Sequence, residues 1–154
     1  MTYFSIPELN SHKLPLSPDV TKNLQLLISK LDPFRGAYGK LFIINSGYRD
    51  SKLQSKINPL APKSKHCLGL AVDVCDKDNL LMNWILKNLG LAKDLDLFFE
   101  DFRYTCRDGH VHWCHIQVGQ PKSGKRIFIP DSGPTKCNRW DGNYDHRFDL
   151  SFKM

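Results

Sequence analysis

The chain has 154 residues and a formal net charge of +6, from 22 lysines and arginines against 16 aspartates and glutamates. Hydrophobic residues at 41% and charged residues at 25% fall in the globular range, and the length suits one core rather than two domains. No apolar run approaches the ~18 residues of a bilayer span, and no zinc-finger, RRM or helix-turn-helix pattern accompanies the basic charge, so neither membrane insertion nor nucleic-acid binding is expected.

In chain order, residues 20–31 place Leu24, Leu27, Ile28 and Leu31 on one helical stripe that begins near the Ser17-Pro18-Asp19 cap signal. A β-rich run over 40–45 leads into Ser46-Gly47-Tyr48-Arg49, and 50–57 reads as a short helix ended by Pro59 and Pro62. Residues 70–74 read as a strand entered through Gly69. Residues 79–89 read as a second substantial helix, with Leu80, Trp84 and Leu91 toward the core and Gly90 as its stop. Residues 96–104 and 111–118 are expected to pair as antiparallel strands across the Asp108-Gly109 turn, with a peripheral strand at 127–129. The fold class this predicts is α+β, a small antiparallel sheet packed with helices. Beyond that strand the chain reads as loops that mix aromatics with turn formers.

The chemistry concentrates at residues 64–75, where His66 and Asp73 flank Gly69. An imidazole nitrogen and a carboxylate oxygen both suit Zn²⁺, and the turn allows the two to meet at one ion. Alternation puts Ala71, Asp73 and Cys75 on one face of their strand and Leu70, Val72 and Val74 on the other. The third ligand is expected from His-Val-His-Trp-Cys-His-Ile-Gln-Val at 110–118. There Val111, Trp113, His115 and Gln117 share one face, opposite His110, His112, Cys114 and Ile116. His115 is the expected ligand, with His112 its rival if the strand is bulged.

A two-histidine, one-carboxylate set leaves the fourth position of one zinc ion open, as a catalytic site requires. Glu100, at the end of Leu97-Phe98-Phe99, supplies the base, with neighbouring Asp101 still in contention. Neither Ser46 nor Ser64 lies in a Gly-x-Ser-x-Gly elbow, so both are expected to fix turns or support ligands. The five cysteines are odd in number and form no C-x-x-C pair. They read as reduced thiols, with Cys67 and Cys114 pointing away from the ligand face.

Taken in order, Ser46-Gly47-Tyr48-Arg49, Asn58, Ser64-x-His66-x-x-Gly69-x-Ala71-x-Asp73, Glu100 and Trp113-x-His115 resemble the M15 zinc peptidases. They resemble in particular the phage-type branch of that family, which includes endolysins and D-Ala-D-Ala carboxypeptidases acting on peptidoglycan peptides. Tyr-Phe-Ser-Ile-Pro-Glu-Leu at 3–9, Leu31-Asp32-Pro33-Phe34-Arg35 and Thr105 resemble that branch too, so the likeness runs from about residue 3 to 130. It implies His66, Asp73 and His115 as ligands of one zinc ion. It also implies Glu100 as the residue that activates water and protonates the leaving amine, and Arg49 as a holder of substrate or of the developing oxyanion.

There are two departures from the family pattern. Pro59-Leu60-Ala61-Pro62 stands where Gly-Gly is usual, and Cys106-Arg107-Asp108-Gly109-His110 looks like a hairpin insertion between Glu100 and His115.

The resemblance therefore implies a single catalytic domain over 1–154, with 120–154 as a C-terminal extension too short for an independent wall-binding domain. The expected function is zinc-dependent hydrolysis of a peptidoglycan stem-peptide bond, of D-Ala-D-Ala carboxypeptidase or L-Ala-D-Glu endopeptidase type, in a phage lysin. A wall-binding or virion-associated structural protein that keeps a zinc-stabilised domain is the alternative. The expected partner is the peptidoglycan peptide, and the protein is expected to be a monomer. With Glu8 and prolines 7, 15 and 18, the N-terminus does not look like a signal peptide. The protein is accordingly expected to be made in the host cytoplasm and to act on the wall after release. The positive charge fits attraction to anionic wall polymers, as it fits a solubilising surface.

Overall fold

In the computed structural model, which describes residues 2–107 and 109–130, the chain opens with a short helix α1 (Ile6–Leu9) tethered to the long helix α2 (Pro18–Tyr38). The tether is Asp32, whose Oδ1 accepts from Tyr3 N at 2.8 Å and Phe4 N at 3.2 Å, while Arg35 lies over the Tyr3 ring at 4.1 Å. Helix α2 is capped by Ser17, which accepts from Val20 N, and is stopped by Gly39 in the left-handed conformation. It runs on through Pro33 to Tyr38, past the expected end at Leu31. Pro33 costs one backbone hydrogen bond. The last turns are held instead by Phe34, which is fully buried against the rings of Phe42, Trp84 and Phe99.

Beyond α2 come strand β1 (Ile44–Ser46), helix α3 (Ser51–Ile57) and a 3₁₀ turn (Lys65–Leu68). Strand β2 (Ala71–Cys75), helices α4 (Leu80–Lys87) and α5 (Leu89–Asp94) and strand β3 (Leu97–Glu100) follow. Next are a 3₁₀ turn (Phe102–Thr105), the short strands β4 (Cys106–Arg107) and β5 (His110–Val111), then β6 (Trp113–Val118) and β7 (Ile127–Phe128). Asp50, expected as the first residue of this helix, instead caps it, accepting from Leu53 N at 2.8 Å.

The α+β class holds, and the sheet order is β1-β2-β6-β3-β7. The pairs β1–β2, β2–β6 and β3–β6 are antiparallel, but β7 lies parallel to β3, which makes the sheet mixed rather than purely antiparallel. Strands β3 and β6 pair as expected, though not across a tight turn. The 3₁₀ turn and the β4–β5 hairpin intervene, and a hairpin is the expected element at 106–110.

The expected helix over 79–89 is two helices meeting at Asn88, and Gly90 lies inside α5 rather than ending α4. Its core face differs in part: Trp84 and Leu91 pack against the core as expected, but Leu80 is exposed, while Leu81, Met82 and Ile85 are buried. Asp76 explains the rotation, since its carboxylate accepts from Leu81 N and Met82 N, both at 2.9 Å, and so caps the helix from upstream. One sheet face, with Val72, Val74, Cys114, Ile116, Leu97 and Phe99, joins the core formed with α2 and α4. Asp73, His115 and Gln117 alternate with these residues and so belong to the opposite face.

Candidate metal centre

His66, Asp73 and His115 converge on the open face of the sheet, all three buried, with one ligand atom from each within 4.8 Å of the others. Asp73 and His115 face each other across the β2–β6 ladder, and Asp73 Oδ1 lies 3.2 Å from both His115 Nδ1 and His66 Nε2. His66 arrives from the 3₁₀ turn, where Ser64 accepts from His66 N and Gly69 closes the turn at φ +75°. A side chain at Gly69 would meet Val20 O and Leu24 Cγ at 3.1 Å, so the same glycine seats the turn on α2.

The remaining ring nitrogens decide the tautomers. His66 Nδ1 lies 2.7 Å from Gly47 O, a pure acceptor, so Nδ1 carries the hydrogen and Nε2 presents its lone pair inward. Gln117 donates its amide to Gly119 O at 2.9 Å, which turns its Oε1 toward His115 Nε2 at 2.8 Å. His115 Nε2 therefore carries the hydrogen, and Nδ1 faces Asp73. In the neutral rings, three lone pairs meet with no hydrogen between them, an arrangement that calls for a cation. The residues thus fit a two-histidine, one-carboxylate zinc site.

Asp73 is anchored from behind. Its Oδ2 accepts from Arg49 Nη2 at 3.0 Å, while Arg49 Nε donates to Ser46 Oγ and Nη1 to Gln54 Oε1. Gln54, fully buried, donates in turn to Ala61 O at 2.9 Å, which ties the Asp73 anchor to the loop carrying Pro59 and Pro62. Gly47 is demanded by packing: a side chain there would sit 2.2 Å from Leu9 O, the carbonyl that accepts from Tyr48 N.

Electrostatics separate the groups. Burial raises the Asp73 carboxyl, but the two histidines outweigh it and hold the group well below the usual carboxylate range. Burial, with smaller contributions from His115 and Arg49, pushes His66 down against Asp73. For His115, burial is outweighed by the Asp73 hydrogen bond and charge and by Glu100, and its pKa rises. Glu100 is pushed up to about 7, chiefly by burial, with Asp73 and Asp101 raising it further against His115 and Arg49.

Glu100 lines the same cleft as the three candidate ligands, together with Tyr104, Trp113 and Phe128. Asp101 is fully buried and is taken up by Arg103, which reaches it from Nη2 at 2.6 Å and Nε at 3.0 Å. His112 is exposed and stands outside the convergent group. Cys114 is buried on the helix side of the sheet, as alternation requires, with its thiol pushed well up by burial. The roles of Gly47 and Gln117 as ring-orienting acceptors were not foreseen, although Gln117 shares a strand face with His115 at a spacing of two.

The family model for peptidase M15 matches residues 2–114, a span that includes His66, Asp73 and Glu100 and stops one residue before His115. Comparison with curated proteins and with solved structures gives no match. With nearly three-quarters of the sequence matched and a His-Asp-His group suited to zinc, the chain belongs to the peptidase M15 family.

Proposed function

We propose that this peptidase uses one zinc ion, held by His66, Asp73 and His115, to cut a peptide bond in the peptidoglycan stem peptide, as a phage lysin acting on the wall after release. The observation that carries the reading is the placement of Glu100 in the same cleft as three lone pairs that converge on one point. Bound zinc supplies Lewis acidity, polarising a carbonyl and acidifying water.

The chain's own residues supply the rest. With a pKa near 7, Glu100 takes a proton from the attacking water and returns it to the leaving amine. A dication nearby acts in the same direction as His115 and Arg49, so the working value lies below that figure. Arg49 is nearly buried and donates to Asp73, Gln54 and Ser46, which favours a positioning role over contact with an oxyanion. Gly47 and Gln117 hold the two imidazole rings in the tautomers a metal needs.

The test is digestion of purified peptidoglycan by the zinc-loaded protein, with fragments identified by mass spectrometry and Glu100→Ala run alongside. Release of stem-peptide fragments that stops with the substitution supports the reading and names the bond. Intact peptidoglycan from several wall chemotypes, despite one bound zinc, would overturn it.

A further inference from the structure

Helix α3 and the loop that follows it present a basic surface with exposed apolar side chains. Residues 51–72 carry Lys52, Lys56, Lys63 and Lys65 and no carboxylate. The acids that flank the stretch are both engaged: Asp50 caps α3, and Asp73 is buried against Arg49. Lys52 and Lys56 lie one helical turn apart on α3, on the side away from the buried Gln54. Among these cations Ile57, at the end of α3, is 49% exposed, and Leu60 is 73% exposed.

The loop holds Leu60 outward. Asn58 ends α3, and its Oδ1 accepts from Leu60 N at 3.2 Å while its carbonyl accepts from Ala61 N at 3.1 Å. Gln54 fastens the turn from beneath by donating to Ala61 O at 2.9 Å, and Pro59 and Pro62 fix φ on either side of Leu60. Leu60 therefore cannot fold back onto the core without breaking these bonds. A single exposed leucine is ordinary on a protein surface. One pinned outward, with Ile57 close in the chain and lysines before and after it, has the make-up of an interfacial anchor. The charge attracts an anionic surface, and the apolar tip discriminates between such surfaces. A hydrated polyanion offers nothing for Leu60 to enter, whereas a bilayer buries it among its headgroups and acyl chains.

We infer that this face docks peripherally on an anionic lipid bilayer, with Leu60 and Ile57 entering the headgroup layer and Lys52, Lys56 and Lys63 pairing with lipid phosphates. The inference stands apart from the peptidase reading. Leu60 and Pro62 also border the metal cleft, so docking would set that cleft beside the lipid surface.

Cosedimentation of the zinc-loaded protein with vesicles tests this, using phosphatidylcholine alone and phosphatidylcholine mixed equally with phosphatidylglycerol. The protein should pellet with the mixed vesicles at low salt and not with the neutral ones. Lys52→Gln with Lys56→Gln should weaken that binding by about ten- to thirtyfold. Leu60→Ser should weaken it by about tenfold, whereas Leu60→Phe should keep it. Lys87→Gln with Lys93→Gln removes the same charge from α4 and α5 and should cost less than the α3 pair. Leu41→Ser, at another exposed leucine, should leave binding intact. The substituted side chains are exposed, so melting temperatures near that of the wild type should accompany every variant. No binding to the mixed vesicles, or equal binding to the neutral ones, would overturn the inference. Binding that needs the lysines but survives Leu60→Ser would mark a surface for anionic polymers, and the lipid assignment would fail.

Discussion

Asp73 and His115 are direct partners across the β2–β6 ladder, with Asp73 Oδ1 3.2 Å from His115 Nδ1. The row they share runs on in both directions. Ser46 pairs with Asp73 on one side, and the β3–β6 register that pairs Phe99 with Ile116 carries Glu100 to the other side of His115. A single cross-strand row therefore holds an anchor for Arg49, two candidate ligands and the candidate base. Only His66 comes from outside it, delivered by the 3₁₀ turn. Neighbouring positions of a ladder are about 5 Å apart, the scale on which such groups meet.

Replacing Asp73 should disturb more than metal binding. Asp73→Asn removes the charge that partners a buried Arg49, and losing one member of a buried pair costs about 3–5 kcal/mol. The variant should fail to hold stoichiometric zinc and should melt well below the wild type even with chelator present. Because the folded pKa of Asp73 is depressed, its contribution is complete above the ordinary carboxylate value near 3.8 and is lost as the pH falls below it. Melting curves in chelator should therefore separate the two proteins widely at pH 6 and less at pH 3.

Glu100 predicts the opposite sign. Its folded pKa is raised from 4.5 to about 7, so between those values the folded protein keeps a proton that the unfolded chain has released. Stability falls across that window as pH rises and is flat above it. Glu100→Gln should stabilise the chelated protein at pH 8 by about 1–3 kcal/mol and hardly at all at pH 4. It should keep stoichiometric zinc and lose about 10²–10⁴-fold in turnover. Melting at the two pH values, zinc analysis and a peptide assay check the three parts independently, and a variant that loses its zinc would remove Glu100 from the role of base.

Much of this site is legible in the order of residues because strand alternation is local. The period of two puts Asp73 opposite Val72 and Val74, and His115 opposite Cys114 and Ile116, which is how the structure arranges them. What the sequence leaves hidden depends on distant partners. Nothing near Gly47 reveals that Leu9 O lies against it. Nothing near Leu80 reveals that the cap of α4 comes from Asp76, which turns Leu80 outward. Nothing near Pro33 reveals that Phe34 beyond it is buried among three other rings. The choice between Glu100 and Asp101 is of the same kind: the arginine two residues on pairs with Asp101, which favours Glu100 as the proposed base.

Gly47 offers a test of that distant packing. A methyl group at this position would stand 2.2 Å from Leu9 O, a backbone atom that cannot simply rotate away. Gly47→Ala should therefore push the N-terminal segment off β1, break the Tyr48–Leu9 hydrogen bond and shift the carbonyl that fixes His66. Overpacking of this kind costs about 1–3 kcal/mol. The expected result is a lowered melting temperature together with weaker zinc binding. Leu9→Ala, which leaves Leu9 O in place, should lower stability through lost core packing without a comparable loss of zinc affinity.

Gln117 separates ring orientation from stability most cleanly. Its amide oxygen accepts from His115 Nε2, and its amide nitrogen is pinned by Gly119 O. Gln117→Leu removes that acceptor, so His115 is no longer held in the tautomer that turns Nδ1 toward Asp73. Loss of such a supporting partner typically costs 10–100-fold in metal affinity. Competition of the variant against a chromogenic zinc chelator should show a weakening of that size, while Gln117→Glu, which keeps an acceptor oxygen facing the ring, should recover most of it. A Gln117→Leu protein that binds zinc as tightly as the wild type would mean that His115 is oriented by its strand alone, and that the hydrogen bond to Gln117 is incidental to the metal.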